Sequence, residues 1–131
     1  MPSHFYWFKN PPAERAGSTL SEEFIVYSTT VLAEQAYPHV LDESFPPAYA
    51  DAWKPMPELA LPHHADEIKI ACLPGAQFNG SPNMVCVATA RYQNVIVQTI
   101  GNVLPDRGLT LPDFRQMLVV VDRRVTEVLA R

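Results

Sequence analysis

No stretch of this 131-residue chain is apolar for long enough to cross a bilayer as a helix. Its first residues lack the basic segment, apolar run and small-residue cleavage site of a secretory signal. Catalytic signatures are missing too, with no GxSxG, HExxH, P-loop or dinucleotide fingerprint. The two cysteines, Cys72 and Cys86, are not a CxxC pair, so a thioredoxin-type redox role has no support. There is no basic excess, and the formal net charge of -4 argues against nonspecific nucleic-acid binding. Charged residues are only 18% of the chain, below the usual quarter, whereas its 13 prolines are about twice the ordinary share. That balance favours long ordered connections within one domain large enough to bury a core.

What is present is a central run of β-formers. Residues Ile68–Leu73, Met84–Tyr92 and Val95–Ile100 read as three consecutive antiparallel strands bounded by Pro, Gly and Asn. The segment Pro74–Asn83 between the first two is dense in turn residues. Gln93-Asn94 between the last two is short enough for a two-residue hairpin, although it lacks the favoured Asn-Gly chemistry. Pairing the first hairpin about Asn79 sets Cys72 opposite Cys86, Ile70 opposite Ala88 and Ile68 opposite Ala90. Directly opposed residues lie roughly 4.5–5.5 Å apart at Cα, and a disulfide needs roughly 4.4–6.8 Å. The register that aligns the apolar face therefore also brings the cysteines into bonding range, and a one-residue slip breaks both. That face carries Ile68, Ile70, Cys72, Cys86, Ala88, Ala90, Val97 and Thr99, small enough to seat a helix. The other face, with Lys69, Val87, Thr89, Arg91, Ile96 and Gln98, is mixed and is left for N-terminal segments or a partner to cover.

The helices follow from spacing. Thr110 opens the last one as a cap, with Pro112 in its first turn and Asp113 placed to return the capping bond. Phe114, Met117, Leu118, Val121, Val125, Val128 and Leu129 recur at helical spacing, which makes this helix the main cover of the sheet. Arg115, Asp122, Arg123, Thr126 and Glu127 are assigned to its opposite side. Earlier in the chain, Glu22–Ser28 reads as a short strand, Ser28-Thr29-Thr30 supplies caps for a helix from about Val31, and Pro38 ends or kinks it. The fold expected is α+β: an antiparallel meander sheet of about four strands covered by a C-terminal helix, with one further N-terminal helix. Residues 1–20 are an aromatic arm and connector, and residues 21–131 are a single domain.

Several stretches bear on function. Phe5, Tyr6, Trp7 and Phe8 are four aromatics in a row, too many to leave in water. They form either an edge strand packed on the chain's own sheet or an anchor for a protein partner or a membrane surface. Residues 45–62 are spaced by prolines. They form either a groove ligand or, as preferred here, an ordered crossover that lays Tyr49 and Trp53 over the sheet. The residues 1–67 hold ten acids against three Lys/Arg, and 68–131 hold four against seven, so the halves attract each other or one basic helix face is offered outward. His63, His64, Asp66 and Glu67 are the densest potential metal ligands. Neighbouring histidines at the start of a strand point apart, and nothing in the spacing demands an ion even with His4 or His39 added, so no metal or cofactor is expected. Asn79-Gly-Ser81 matches a glycosylation acceptor weakened by Pro82 and is better read as a turn, as is Asp106-Arg107.

Asp66-Glu67 before a strand, Ala90-Arg-Tyr-Gln-Asn-Val-Ile-Val97 as a hairpin and Val121-Asp-Arg-Arg124 in a closing helix resemble a known layout. It is that of bacterial surface lipoproteins and of the extracellular sensor domains of mycobacterial serine/threonine kinases. The chain departs from it with Ala65 and Gln93 at positions usually glycine, and in having no lipobox cysteine. The resemblance implies an extracytoplasmic, non-catalytic module that binds a ligand or partner. A cross-strand disulfide points to the same compartment, whereas buried free thiols would fit a cytosolic core. The expectation is thus a non-enzymatic binding or accessory subunit in an extracytoplasmic or membrane-associated assembly; with no secretory signal, either the chain lacks its leader or it is cytosolic with its cysteines reduced. The alternative is a small-molecule binder or small enzyme, with a pocket between the sheet and the 45–62 crossover and His39, His63 or His64 as its polar group.

Overall fold

The computed structural model describes residues 3–9, 20–78, 81–104 and 108–130, with side chains for 20–74, 83–104 and 108–130. Six strands, β1 (Ser3–Lys9), β2 (Leu20–Val26), β3 (Lys54–Pro55), β4 (Glu67–Phe78), β5 (Ser81–Tyr92) and β6 (Val95–Val103), form one antiparallel sheet in the order β1-β2-β6-β5-β4-β3. Helix α1 (Thr30–Ser44) covers one face and helix α2 (Leu111–Leu129) the other. The class is the α+β meander that the hydrophobic pattern implies. It gains β1 on one edge and the two-residue β3 on the other. The segment Phe5–Phe8 is thus paired backbone to backbone with β2, which starts two residues earlier than the β-formers suggested.

The central register is the expected one. Cys72 opposes Cys86, Ile70 opposes Ala88 and Ile68 opposes Ala90, and the two sulfurs are bonded. Both cysteines are fully buried. The turn-rich stretch between these strands is not a long loop. The ladder continues to Phe78 and Ser81, because Pro74 and Gly75 face only Met84 across a bulge between Leu73 and Ala76. A bulge accepts a proline because that residue owes the ladder no hydrogen bond. Residues 79 and 80 of the proposed glycosylation turn and 105–107 of the Asp106-Arg107 loop lie outside the described residues.

Helix α2 begins on a capping box: Thr110 Oγ1 accepts from the Asp113 N–H and Asp113 Oδ2 accepts from the Thr110 N–H. Its buried stripe is Phe114, Leu118, Val121, Asp122 and Val125, each apolar member worth about 1.5–3 kcal/mol of transfer free energy before entropy is charged. Phe114 sits on Gly101, where an added Cβ would lie 2.9 Å from its ring and 2.8 Å from Leu109 Cδ2. Val128 departs from the expectation and is 61% exposed. The mixed face is covered by the N-terminal helix, capped by Thr29 and continuous through Pro38. Tyr37 and Val40 pack on Ile25 and Ile96, and Phe45 packs on Ala71 and Val87. The polar groups beneath α1 are spent on one another. Tyr37 donates to the Thr89 carbonyl (2.7 Å), Thr89 donates to Ser44 Oγ (2.9 Å), and Ser44 donates to the Val40 carbonyl (2.8 Å) while also accepting from Gln98. Burial pushes the Tyr37 phenol far above its ordinary pKa, so it stays a donor.

Candidate functional site

The 45–62 crossover, which joins α1 to β4, passes from the α1 face to the α2 face around the β4 edge. Trp53 stays on the α1 side, edge-on to Phe45 at 5.1 Å, while Lys54 pairs with Cys72 and Leu59 is fully buried against the α2-side core. Beyond Leu59 the strap is tied to α2, where Arg115 Nε donates to the Ala60 carbonyl at 3.2 Å. Between strap and sheet runs an open cleft of about 350 Å³, lined by Met56, Leu61 and His63 on one side and Ile68 and Ile70 on the other.

His63 and His64 do point apart. His63 faces that cleft, and His64 turns to the far side of the strap onto Asp122. The Asp122 carboxylate accepts three hydrogen bonds. Oδ1 takes the Tyr92 hydroxyl (2.8 Å) and the His64 main-chain N–H (2.9 Å), and Oδ2 takes His64 Nδ1 (2.8 Å). Burial alone pushes this carboxyl up. The His64 N–H, the His64 ring and the Tyr92 hydroxyl outweigh it, and the net result lies below the ordinary carboxylate value. Burial first, and the bond to Asp122 second, raise the Tyr92 phenol far above its usual pKa. An ionised carboxylate only accepts, so His64 carries its proton on Nδ1.

Asp122 corrects its assignment to the outer side of α2, since it is only 6% exposed. The signal was in the spacing: position 122 lies four residues after Leu118 and three before Val125, inside the buried arc. A second pocket of about 200 Å³ opens beside this triad, between His64, Asp66, the Tyr92-Gln93 turn and the last turn of α2 at Thr126 and Leu129. Gln93 holds a positive φ of 52°. Its N–H donates to Asp66 Oδ2 (2.7 Å) and its carbonyl accepts from Arg91 Nη1 (3.0 Å). Asn94 is held by a pair of bonds to the Tyr27 backbone. The side chain of Arg91 is buried and also pairs with Glu67 at 2.7 Å.

The residues expected to contact a partner do not form one surface. Phe5, Tyr6, Trp7 and Phe8 lie in β1, with their side chains outside the described residues, while Tyr49 and Trp53 adjoin β3 on the opposite edge. Five strand spacings of about 4.8 Å separate the two edges by roughly 24 Å. Tyr49 is exposed, Trp53 is half-buried, and His39 is exposed on α1 away from both clefts. Among the described residues no three His, Cys, Asp or Glu converge as a metal site, and no helix is long and apolar enough to cross a membrane.

Fold and site together define a disulfide-stapled α+β domain with two clefts flanking one strap. No protein-family model, curated protein or solved structure matches the chain.

Proposed function

We propose that this domain is a non-catalytic binding module acting outside the cytoplasm, and that it takes a small, largely apolar ligand in the cleft between the crossover and β4. The cleft itself carries the reading. Its volume of about 350 Å³ falls within the range of small-molecule pockets, and such sites pair apolar walls with a few orienting polar groups. Met56, Leu61, Ile68 and Ile70 supply the walls, and His63 supplies the polar group. Both walls are preorganised: β4 is bonded to β5 through Cys72, and the strap is tied to α2 through Ala60 and His64. Two of the buried charges are committed to structure, Arg91 between Glu67 and Asp66 and Asp122 between Tyr92 and His64. A buried disulfide suits an oxidising compartment, as does the resemblance to extracytoplasmic modules.

The test is a titration of methyl-labelled protein with indole, a probe of matching size and polarity. Saturable shifts of the Ile68, Ile70 and Leu61 methyls are expected, and they should vanish in Ala60→Trp, where an exposed strap residue is enlarged to fill the cleft. Shifts that never saturate, or that persist unchanged in the variant, would overturn the reading.

A second reading, an accessory subunit docked through β1, is favoured by one observation. Phe5-Tyr6-Trp7-Phe8 sits on a sheet edge, where an outer backbone ladder and aromatic side chains can engage a protein partner or a membrane surface. Removing residues 1–9 should abolish that association while circular dichroism keeps the remaining fold. Unchanged association would sink it.

A further inference from the structure

The pocket beside His64 has an unusual hydrogen-bond inventory. Apart from the Gln93 side-chain amide, its walls have already given away their polar hydrogens. The Tyr92 hydroxyl, the His64 N–H and the His64 Nδ1–H all go to the Asp122 side chain. The Thr126 hydroxyl goes to the Asp122 carbonyl (2.6 Å), and the Gln93 N–H goes to Asp66 Oδ2. What remains facing the cavity is a set of acceptors. In the neutral ring, whose one proton sits on Nδ1, His64 presents Nε2 as a lone pair, on a side chain that is 69% exposed. Asp66 spends Oδ2 on Gln93 and Arg91, which leaves Oδ1 open among the described residues. The last turn of α2 lines the cavity at the negative end of the helix dipole, with no basic side chain in that turn. The Gln93 side-chain amide is the one adaptable group, able to turn its oxygen inward.

The His64 ring satisfies Oδ2 of the buried Asp122 with one nitrogen and leaves its other edge exposed. That bond holds one lone pair pointed away from Asp122, and a wall made of acceptors selects a ligand made of donors. We propose that the pocket between His64, Asp66 and the C-terminal turn of α2 binds a primary alkylammonium group. Nε2 of His64 and Oδ1 of Asp66 receive two of its three N–H bonds, and the Tyr92 ring and Leu129 flank the alkyl stem. The cavity of about 200 Å³ suits a short amine. The same chemistry comes either from a free amine or from a lysine side chain of another polypeptide. The site is separate from the apolar cleft, on the other side of the strap, and does not depend on it.

The experiment follows the His64 ring by nitrogen NMR at pH 8 in the full chain. It is titrated in parallel with n-butylammonium, with Nα-acetyl-lysine methylamide and with the neutral and anionic controls n-butanol and butyrate. Saturable movement of the Nε2 resonance is expected with the ammonium ligands alone. A free amine site binds n-butylammonium the more tightly, and a lysine site binds the lysine derivative the more tightly. Asp66→Asn keeps an oxygen for the Gln93 N–H but turns an NH2 into the cavity, and should weaken ammonium binding at least about tenfold, the cost of losing a charge-assisted bond. A variant that binds like the native protein, controls that bind as well as the ammonium ligands, or the absence of any saturable shift would each refute the proposal.

Discussion

Replacing Asp122 by asparagine and by alanine separates the role of the carboxylate charge from that of its position. The His64 main-chain N–H reaches Oδ1 at 2.9 Å and can only donate, so in Asp122→Asn the amide oxygen stays at the Oδ1 position. There it keeps both that bond and the one from the Tyr92 hydroxyl. The new NH2 then occupies the Oδ2 position, 2.8 Å from Nδ1, and His64 must move its proton to Nε2 to accept. The exchange makes all three charge-assisted bonds neutral and reverses one of them, while a neutral group is easier to bury, for a net cost of about 1–2 kcal/mol. In Asp122→Ala the buried Tyr92 hydroxyl and the His64 N–H both lose their acceptor, each at about 1–3 kcal/mol, and the side chain leaves a small void, for a total near 3–5 kcal/mol. Urea unfolding at pH 7 with unchanged slopes should order the proteins wild type, Asn, Ala. Nitrogen shifts of the His64 ring should report the opposite tautomer in Asp122→Asn, and ammonium binding should disappear with it. Equal destabilisation by the two substitutions, or an unchanged tautomer, would refute the reasoning. The same carboxylate sets an acid limit. Its folded-state pKa lies below the ordinary value of 3.8, so its contribution to stability is fully present above that value and is lost as pH falls through the folded-state pKa. That acid-range loss should be missing in Asp122→Asn.

Substituting both cysteines by alanine removes a bridge between residues 14 apart and should cost about 3 kcal/mol by loop closure, read as a lower midpoint in urea. In the native protein a peptide linking Cys72 and Cys86 should be recovered intact until reduction, and free-thiol labelling of both residues would contradict it. Gln93→Gly should stabilise by up to about 1 kcal/mol, because glycine accepts the positive φ at this turn without a Cβ penalty and the bonds that hold the turn are made by its backbone. Gly101→Ala should destabilise by about 1–3 kcal/mol, since its methyl would press on the Phe114 ring and Leu109. A neutral result in thermal unfolding would mean that α2 can shift off the sheet at little cost.

Two-residue alternation settled the central hairpins, because each strand has one face whose burial a slip would reverse. Cys72 faces Cys86 for that reason, and local chemistry alone likewise decided the Thr110–Asp113 cap and the helical stripe from Phe114 to Val125. Three-dimensional placement decided the rest. Nothing local says that β1 pairs with β2 rather than extending outward, since an edge strand is defined by its neighbours. Val128 carries the periodicity of a buried residue, yet its position leaves it in water. The site around Asp122 depends on contacts between residues 30 and 58 positions apart, Tyr92 and His64, that no spacing rule connects. Sequence thus fixes patterns whose partners are near or whose period is regular. Which acceptor satisfies a buried hydroxyl, and which histidine is held with its lone pair open, is set only when separate elements close on one another and leave polar groups no water to bond.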